Sequence, residues 1–142
     1  YATVRNVRFK EMEYNIPMEH FEECICKLKS MIEENEYYIF FPVECRFVKG
    51  DDIWLSPAYG RDSAYIAVHV YSESDHDPYF EEMEKMFCSF GGRPHWGKMH
   101  TRKADYLSQT YEKWNDFLAL REKMDPERRF INPHLQGVFG IS

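Results

Sequence analysis

Apolar residues recur along this chain at two spacings, and each spacing predicts its own kind of element. Val4 to Tyr14 reads as an extended segment with Val7 and Phe9 on one face. Asn15-Ile16-Pro17 then opens a helix, since proline suits the first helical turn. Met18, Phe21, Ile25, Leu28 and Ile32 follow at steps of three and four, one apolar stripe with Glu and Lys on the solvated side. This helix should end near Asn35. Tyr38 to Val48 is the next strand, with Pro42 marking an edge or an irregular start. From Val43 the alternation is clean. Val43, Cys45 and Phe47 point one way, Glu44 and Arg46 the other, with same-face neighbours ~7 Å apart.

Gly50-Asp51-Asp52 signals a turn, and residues 53–63 form a loop long enough to be functional. Ala64 to Tyr71 is a further strand. Ile66, Val68 and Val70 share one face, and Tyr65, Ala67, His69 and Tyr71 the other. A polar loop leads to a second amphipathic helix, Tyr79 to Phe90, stopped by Gly91-Gly92. Arg93 to Thr101 is a loop. Arg102 to Met124 is mostly helical with a break near Gln109. Asp125-Pro126 starts a short final turn that Asn132-Pro133 ends. The order β-α-β-β-α-α predicts an α+β fold, an antiparallel sheet with helices packed on one face. The opposite face, with Glu44, Arg46, His69 and Tyr71, is either wet or covers a polar ligand.

The 142 residues suffice for one domain. Eighteen basic against 24 acidic residues leave a net charge of −6, which argues against a nucleic-acid or anionic-membrane surface. No apolar run approaches the ~18 residues of a spanning helix. The start at Tyr1, without Met or a signal pattern, suggests a piece of something longer. The four cysteines, at 24, 26, 45 and 88, have no zinc spacing and read as buried free thiols. No metal site is expected.

Three places concentrate chemistry. Glu44 and Arg46, acceptor and donor two residues apart on one strand face, suit a polyhydroxylated ligand, while a surface ion pair worth ~0–1 kcal/mol is the alternative. His69 on the neighbouring strand is either a substrate-binding residue that orients a hydroxyl or carries a proton, or a hydrogen-bonded structural histidine. The loop Gly91-Gly92-Arg93-Pro94-His95-Trp96-Gly97-Lys98 offers a fixed charge in Lys98. Its Trp96 either walls a pocket or folds into the core. Glu33-Glu34 and Glu81-Glu82 read as solvated helix faces, and His76 and His100 have no arguable partner.

Taken together, five stretches in order resemble one family. They are Phe41-Pro42-Val43-Glu44-Cys45-Arg46-Phe47, Gly50-Asp51-Asp52-Ile53-Trp54-Leu55-Ser56-Pro57, Arg61-Asp62-Ser63, the Gly91–Lys98 loop, and Asp125-Pro126 through Phe130-Ile131-Asn132-Pro133. From about Tyr38 to Phe139 the chain is similar to the C-terminal region of the sugar-lactone and alditol oxidases, members of the vanillyl-alcohol-oxidase-like flavoproteins. The resemblance implies that residues 1–142 are a C-terminal substrate-binding (cap) domain fragment of a two-domain flavoprotein. The FAD-binding domain would be absent from this chain, and the fragment alone would be inactive. It implies FAD as cofactor, a small sugar-derived substrate, and oxidation of a C–OH of an aldonolactone or polyol by hydride transfer to flavin, with dioxygen as acceptor. By the same resemblance Glu44 and Arg46 contact substrate hydroxyls, Lys98 lies near the reacting carbon, and His95 approaches the flavin. His69 stands where alditol-oxidising members carry a small hydroxyl residue, which makes a lactone at least as good an expectation as a polyol. The alternative is a stand-alone small-molecule binding or interaction module without redox activity.

Overall fold

A computed structural model of the protein describes residues 6–141. Among them the elements run β1 (Phe9–Pro17), a 3-10 turn (Met18–His20), α1 (Phe21–Glu34), β2 (Glu44–Val48), β3 (Ser63–Tyr71), α2 (Asp77–Ser89), β4 (Arg93–Pro94), α3 (Ala104–Thr110), α4 (Trp114–Met124) and α5 (Pro133–Phe139). The sheet order is β2-β3-β1-β4, with every pairing antiparallel. This is the expected α+β architecture.

Period-two alternation makes each central strand two-faced. Met12, Tyr14 and Ile16 of β1 and Ala64, Ile66, Val68 and Val70 of β3 point into one core. Against them α2 packs Tyr79, Phe80, Met83, Met86 and Phe87, and α1 packs Cys24 and Leu28. A second apolar cluster joins Leu107 and Tyr111 to Trp114, Val138 and Phe139, with Trp96 packed against it. It ties the three C-terminal helices to the loop after β4.

Several boundaries differ from those the sequence predicts. The first strand begins at Phe9 and runs on through Asn15-Ile16-Pro17, because these residues pair with Tyr65, Ala64 and Ser63 of β3. Val4 and Arg5 lie outside the described residues. Helix α1 therefore starts four residues after Pro17, and Asn35 caps it as expected. Residues 38–43 are irregular, so β2 is a short, exposed edge strand. Arg93-Pro94 adds a short strand by pairing with Asn15 and Tyr14. The break in the 102–124 helical segment falls at residues 111–113. Asn132-Pro133 begins a helix rather than ending a turn. The Asn132 side chain accepts a hydrogen bond from Leu135 N–H, and Pro133 occupies the first turn. Only Cys24 among the thiols is buried; Cys26 and Cys45 are exposed and Cys88 is intermediate. The exposed pair lies on the solvent side of α1 and on the edge strand.

Gly92 is required by close approach. A Cβ there would lie 2.5 Å from the Phe87 carbonyl oxygen and 2.9 Å from the Tyr14 ring. Gly91, at φ +66°, supplies the left-handed residue that ends α2.

Candidate active site

The register fixes what shares the polar face. Glu44 of β2 pairs with Ala67 of β3, which pairs in turn with Glu13 of β1. The next row is Arg46, Tyr65, Asn15 and Arg93, and on the other side His69 lies opposite Glu11. Two acids of β1 thus stand in the middle of the face that the sequence assigned to Glu44, Arg46 and His69.

Lys98 arrives from the opposite edge. His95 N–H donates to Glu13 O and Met99 N–H to Glu11 O, each at 2.9 Å. Four residues of the loop therefore span two residues of β1. The surplus forms a turn closed by Lys98 N–H to His95 O at 3.0 Å. That turn carries the Lys98 side chain over the sheet, where Nζ donates to both Glu11 Oε1 and Glu13 Oε2.

The result is one chain of charges. Arg46 Nη2 donates to Glu13 Oε2 at 2.5 Å, and Arg46 Nε lies 3.4 Å from Glu44 Oε1. His69 Nε2 is 3.3 Å from Glu11 Oε1. Glu13 is 3% exposed and holds both cations, whereas Arg46 and Glu44 are each 51% exposed and face outward. Burial works against the Lys98 ammonium, but the hydrogen bonds to Glu11 and Glu13 outweigh it and raise its pKa above the ordinary lysine value. Lys98 is therefore a fixed cation and a donor, not a base.

His69 is less open than its strand position suggests. Its side chain is 12% exposed, with the rings of Phe9 and Phe41 at 5.2 and 6.0 Å. Its Nδ1 is buried without a partner. It meets the rest of the site through Glu11. His95 is exposed; its Nδ1 accepts Gly97 N–H at 3.1 Å, which leaves Nε2 as the free ring nitrogen. Trp96 does both things its loop position allowed. It packs edge-on against Tyr111, Trp114 and Phe139, and it walls a hollow of about 430 Å³ shared with Leu55, Tyr65 and His95.

Glu44, Arg46 and Lys98 share a surface but not a hollow. Glu44 and His69 border a depression of about 500 Å³ with Phe9 and Phe41, and Lys98 borders another of about 560 Å³ with Thr101 and Arg102. The charged strip lies open along the sheet. Glu11, Glu44 and His69 bring ligand atoms within 4.8 Å of one another, but both acids are already paired to Lys98 and Arg46, so a metal ion would have to displace those cations.

Support beneath the strip is buried and charged. Glu84, 1% exposed, accepts hydrogen bonds from Tyr14 OH (2.6 Å), Thr101 N–H (2.7 Å), the Thr101 hydroxyl and Arg102 (3.0 Å). Burial alone would raise its pKa. The bonds from Thr101 and Tyr14 and the Arg102 charge overcome that and hold it below the usual carboxylate range. This clamp fixes the end of the Lys98 loop. Arg93 shares this face by register, but its guanidinium is engaged away from the strip. It stacks over Tyr111 and donates to the carbonyls of Thr110, Pro57 and Tyr59, pinning the 51–62 loop to α3. Arg61 pins the same loop to Asn15 and Gly91, and burial, with Arg93 nearby, lowers its pKa to about 10.

The family model of D-arabinono-1,4-lactone oxidase matches residues 1–138. The chain belongs to that family. Among curated relatives of this lactone-oxidase family, it is 43% identical over 140 residues to the L-gulono-1,4-lactone dehydrogenase of Mycobacterium tuberculosis, covering 99% of this chain and 33% of that protein. It is 38% identical over 139 residues to the L-gulonolactone oxidase of Bos taurus, with 93% and 32% covered. Against the alditol oxidase of Streptomyces it is 31% identical over 129 residues, with 89% and 30% covered. The chain spans about a third of the length of these relatives. No helix among the described residues is long and apolar enough to cross a membrane.

Proposed function

We propose that this chain is the substrate domain of an FAD-dependent oxidoreductase that converts a C–OH of an aldonolactone or polyol to C=O. Its partner would be an FAD-binding domain supplied by the rest of the full-length protein. The observation that carries the reading is the convergence of Glu44, Arg46 and Lys98 on one sheet face, linked through Glu13, in a chain of the lactone-oxidase family. A half-exposed carboxylate and guanidinium match a substrate rich in hydroxyls, because one accepts and the other donates.

The residues fit a flavin ring at this face. His95 offers its free Nε2 in a hollow lined by the Trp96 and Tyr65 side chains, and Lys98 supplies a fixed positive charge from the end of the same loop. A flavin held there would supply the acceptor for the hydride that leaves the alcohol carbon. The chain's own residues do the rest. Glu44 accepts hydrogen bonds from substrate hydroxyls and orients the ring. Arg46 and Lys98 donate to the reacting oxygen and stabilise its anionic character as the hydroxyl proton departs. That proton goes to the Glu11 carboxylate, which His69 backs through Nε2.

The test is anaerobic addition of an aldonolactone to full-length protein. A yellow protein whose flavin absorption bleaches supports the reading. A protein that binds the lactone but carries no flavin would instead establish a binding module without redox activity. Dioxygen is the proposed electron acceptor. The 43%-identical relative is named a dehydrogenase, which favours a second reading in which another acceptor reoxidises the flavin. Peroxide formation during turnover separates the two.

A further inference from the structure

We infer that Glu13 is a positioning residue that neutralises Arg46 and Lys98 in advance, so that the site accepts an uncharged polyhydroxylated ring and turns away the carboxylate formed when such a lactone opens. The inference rests on the functional reading above and deepens it.

A cluster with two cations on a sheet face is at first sight an anion site. Its partners contradict that. Glu13 is almost wholly buried and receives hydrogen bonds from both Arg46 and Lys98. Glu11 takes a second bond from Lys98, and Glu44 pairs with Arg46 Nε. Three carboxylates therefore stand against two cations, and one imidazole completes the group. An incoming carboxylate meets no unbalanced positive charge. It has to compete with acids that β1 and β2 already hold in place, at a cost in desolvation. A neutral hydroxyl faces no such competition, since each acid and each cation keeps hydrogen-bonding capacity beyond its own ion pair.

Glu13 also sets geometry. A single carboxylate oxygen, Oε2, holds Arg46 from β2 and Lys98 from the far edge. It thereby fixes the spacing of two donors from unconnected segments. Glu13 lies beneath them and acts on a substrate only through them.

The experiment measures binding by calorimetry in the flavin-loaded, full-length protein, with an aldono-1,4-lactone and with the matching open-chain aldonate as probes. The wild type should bind the aldonate at least about tenfold more weakly than the lactone. Glu13→Gln takes the group from three carboxylates against two cations to two against two, which lessens the repulsion of an aldonate and should narrow that ratio by about tenfold. Glu13→Asp keeps the charge and should keep the ratio. If Glu13→Gln does not fold, Glu11→Gln carries the same test, because its less buried carboxylate sits on the same ammonium. An unchanged ratio in a folded Gln variant, or a folded Gln variant that binds neither probe, overturns the inference. So does a wild type that binds both probes equally well. A wild type that binds neither overturns the functional reading itself, and the inference with it.

Discussion

Glu84→Gln tests the support of the site where the geometry leaves least freedom. Each carboxylate oxygen accepts from two donors. Oε1 takes Tyr14 OH and Thr101 N–H, and Oε2 takes the Thr101 hydroxyl and Arg102. A glutamine must put its NH₂ at one of these positions. At the first it faces the Thr101 N–H, and at the second the Arg102 guanidinium. A hydroxyl can rotate and accept, but these two donors cannot reverse. Either orientation sets donor against donor in a buried site, and the charge-assisted bond to Arg102 is weakened as well. The expected cost is about 3 kcal/mol. With an m-value of about 2 kcal/mol/M, the urea midpoint should fall by about 1.5 M. The pH dependence follows from the sign of the shift. The folded pKa of Glu84 lies below its unfolded value, so its stabilisation is present above the ordinary carboxylate pKa and is lost as pH falls through the lowered folded value. The gap between wild type and Glu84→Gln should therefore be full at pH 7 and shrink below about pH 4. Tryptophan fluorescence during urea unfolding reads both quantities. A midpoint change under about 0.5 M at pH 7, or a gap that widens on acidification, would refute the reasoning.

Two other substitutions probe separate parts of the account. Gly92→Ala places a methyl against the Phe87 carbonyl and the Tyr14 ring and should cost about 2–3 kcal/mol, read as a lowered unfolding midpoint; a neutral effect would show that α2 and β1 yield freely there. Arg46→Lys replaces a fork that reaches Glu13 and Glu44 at once with a single ammonium. It should raise KM for a lactone by about tenfold in the full-length protein while shifting stability by under about 1 kcal/mol, since Arg46 is half exposed; an unchanged KM would remove the fork from substrate binding.

The sequence made the face legible but not its centre. Alternation at Val43 to Phe47 and at Ala64 to Tyr71 assigns Glu44, Arg46 and His69 to one side correctly, because local periodicity decides it. Lys10-Glu11-Met12-Glu13-Tyr14 alternates as plainly, but alternation alone does not say which strands flank it. That Glu11 and Glu13 lie between β3 and the Lys98 loop is a fact of strand order, which only non-local pairing supplies. The signal was present in part, since an acid at every second position of a strand ending in buried Tyr14 and Ile16 must face away from the core. Glu84 was hidden for a similar reason. It sits in a run of helix acids in which Glu81 is exposed and paired to Lys85 and Glu82 is half-buried and accepts from Asn35. By sequence Asn132-Pro133 reads as a stop, although the same pair suits a helix start. Only the orientation of the flanking Leu135 N–H distinguishes the two.

The most direct measurement is stopped-flow flavin reduction by an aldonolactone in the full-length Lys98→Met variant. If the lysine brought over the sheet by the 95–99 turn stabilises the departing proton's oxygen, reduction should slow by about 10²–10³-fold while the protein keeps its bound flavin. Reduction at the wild-type rate would show that Lys98 takes no part in the chemistry.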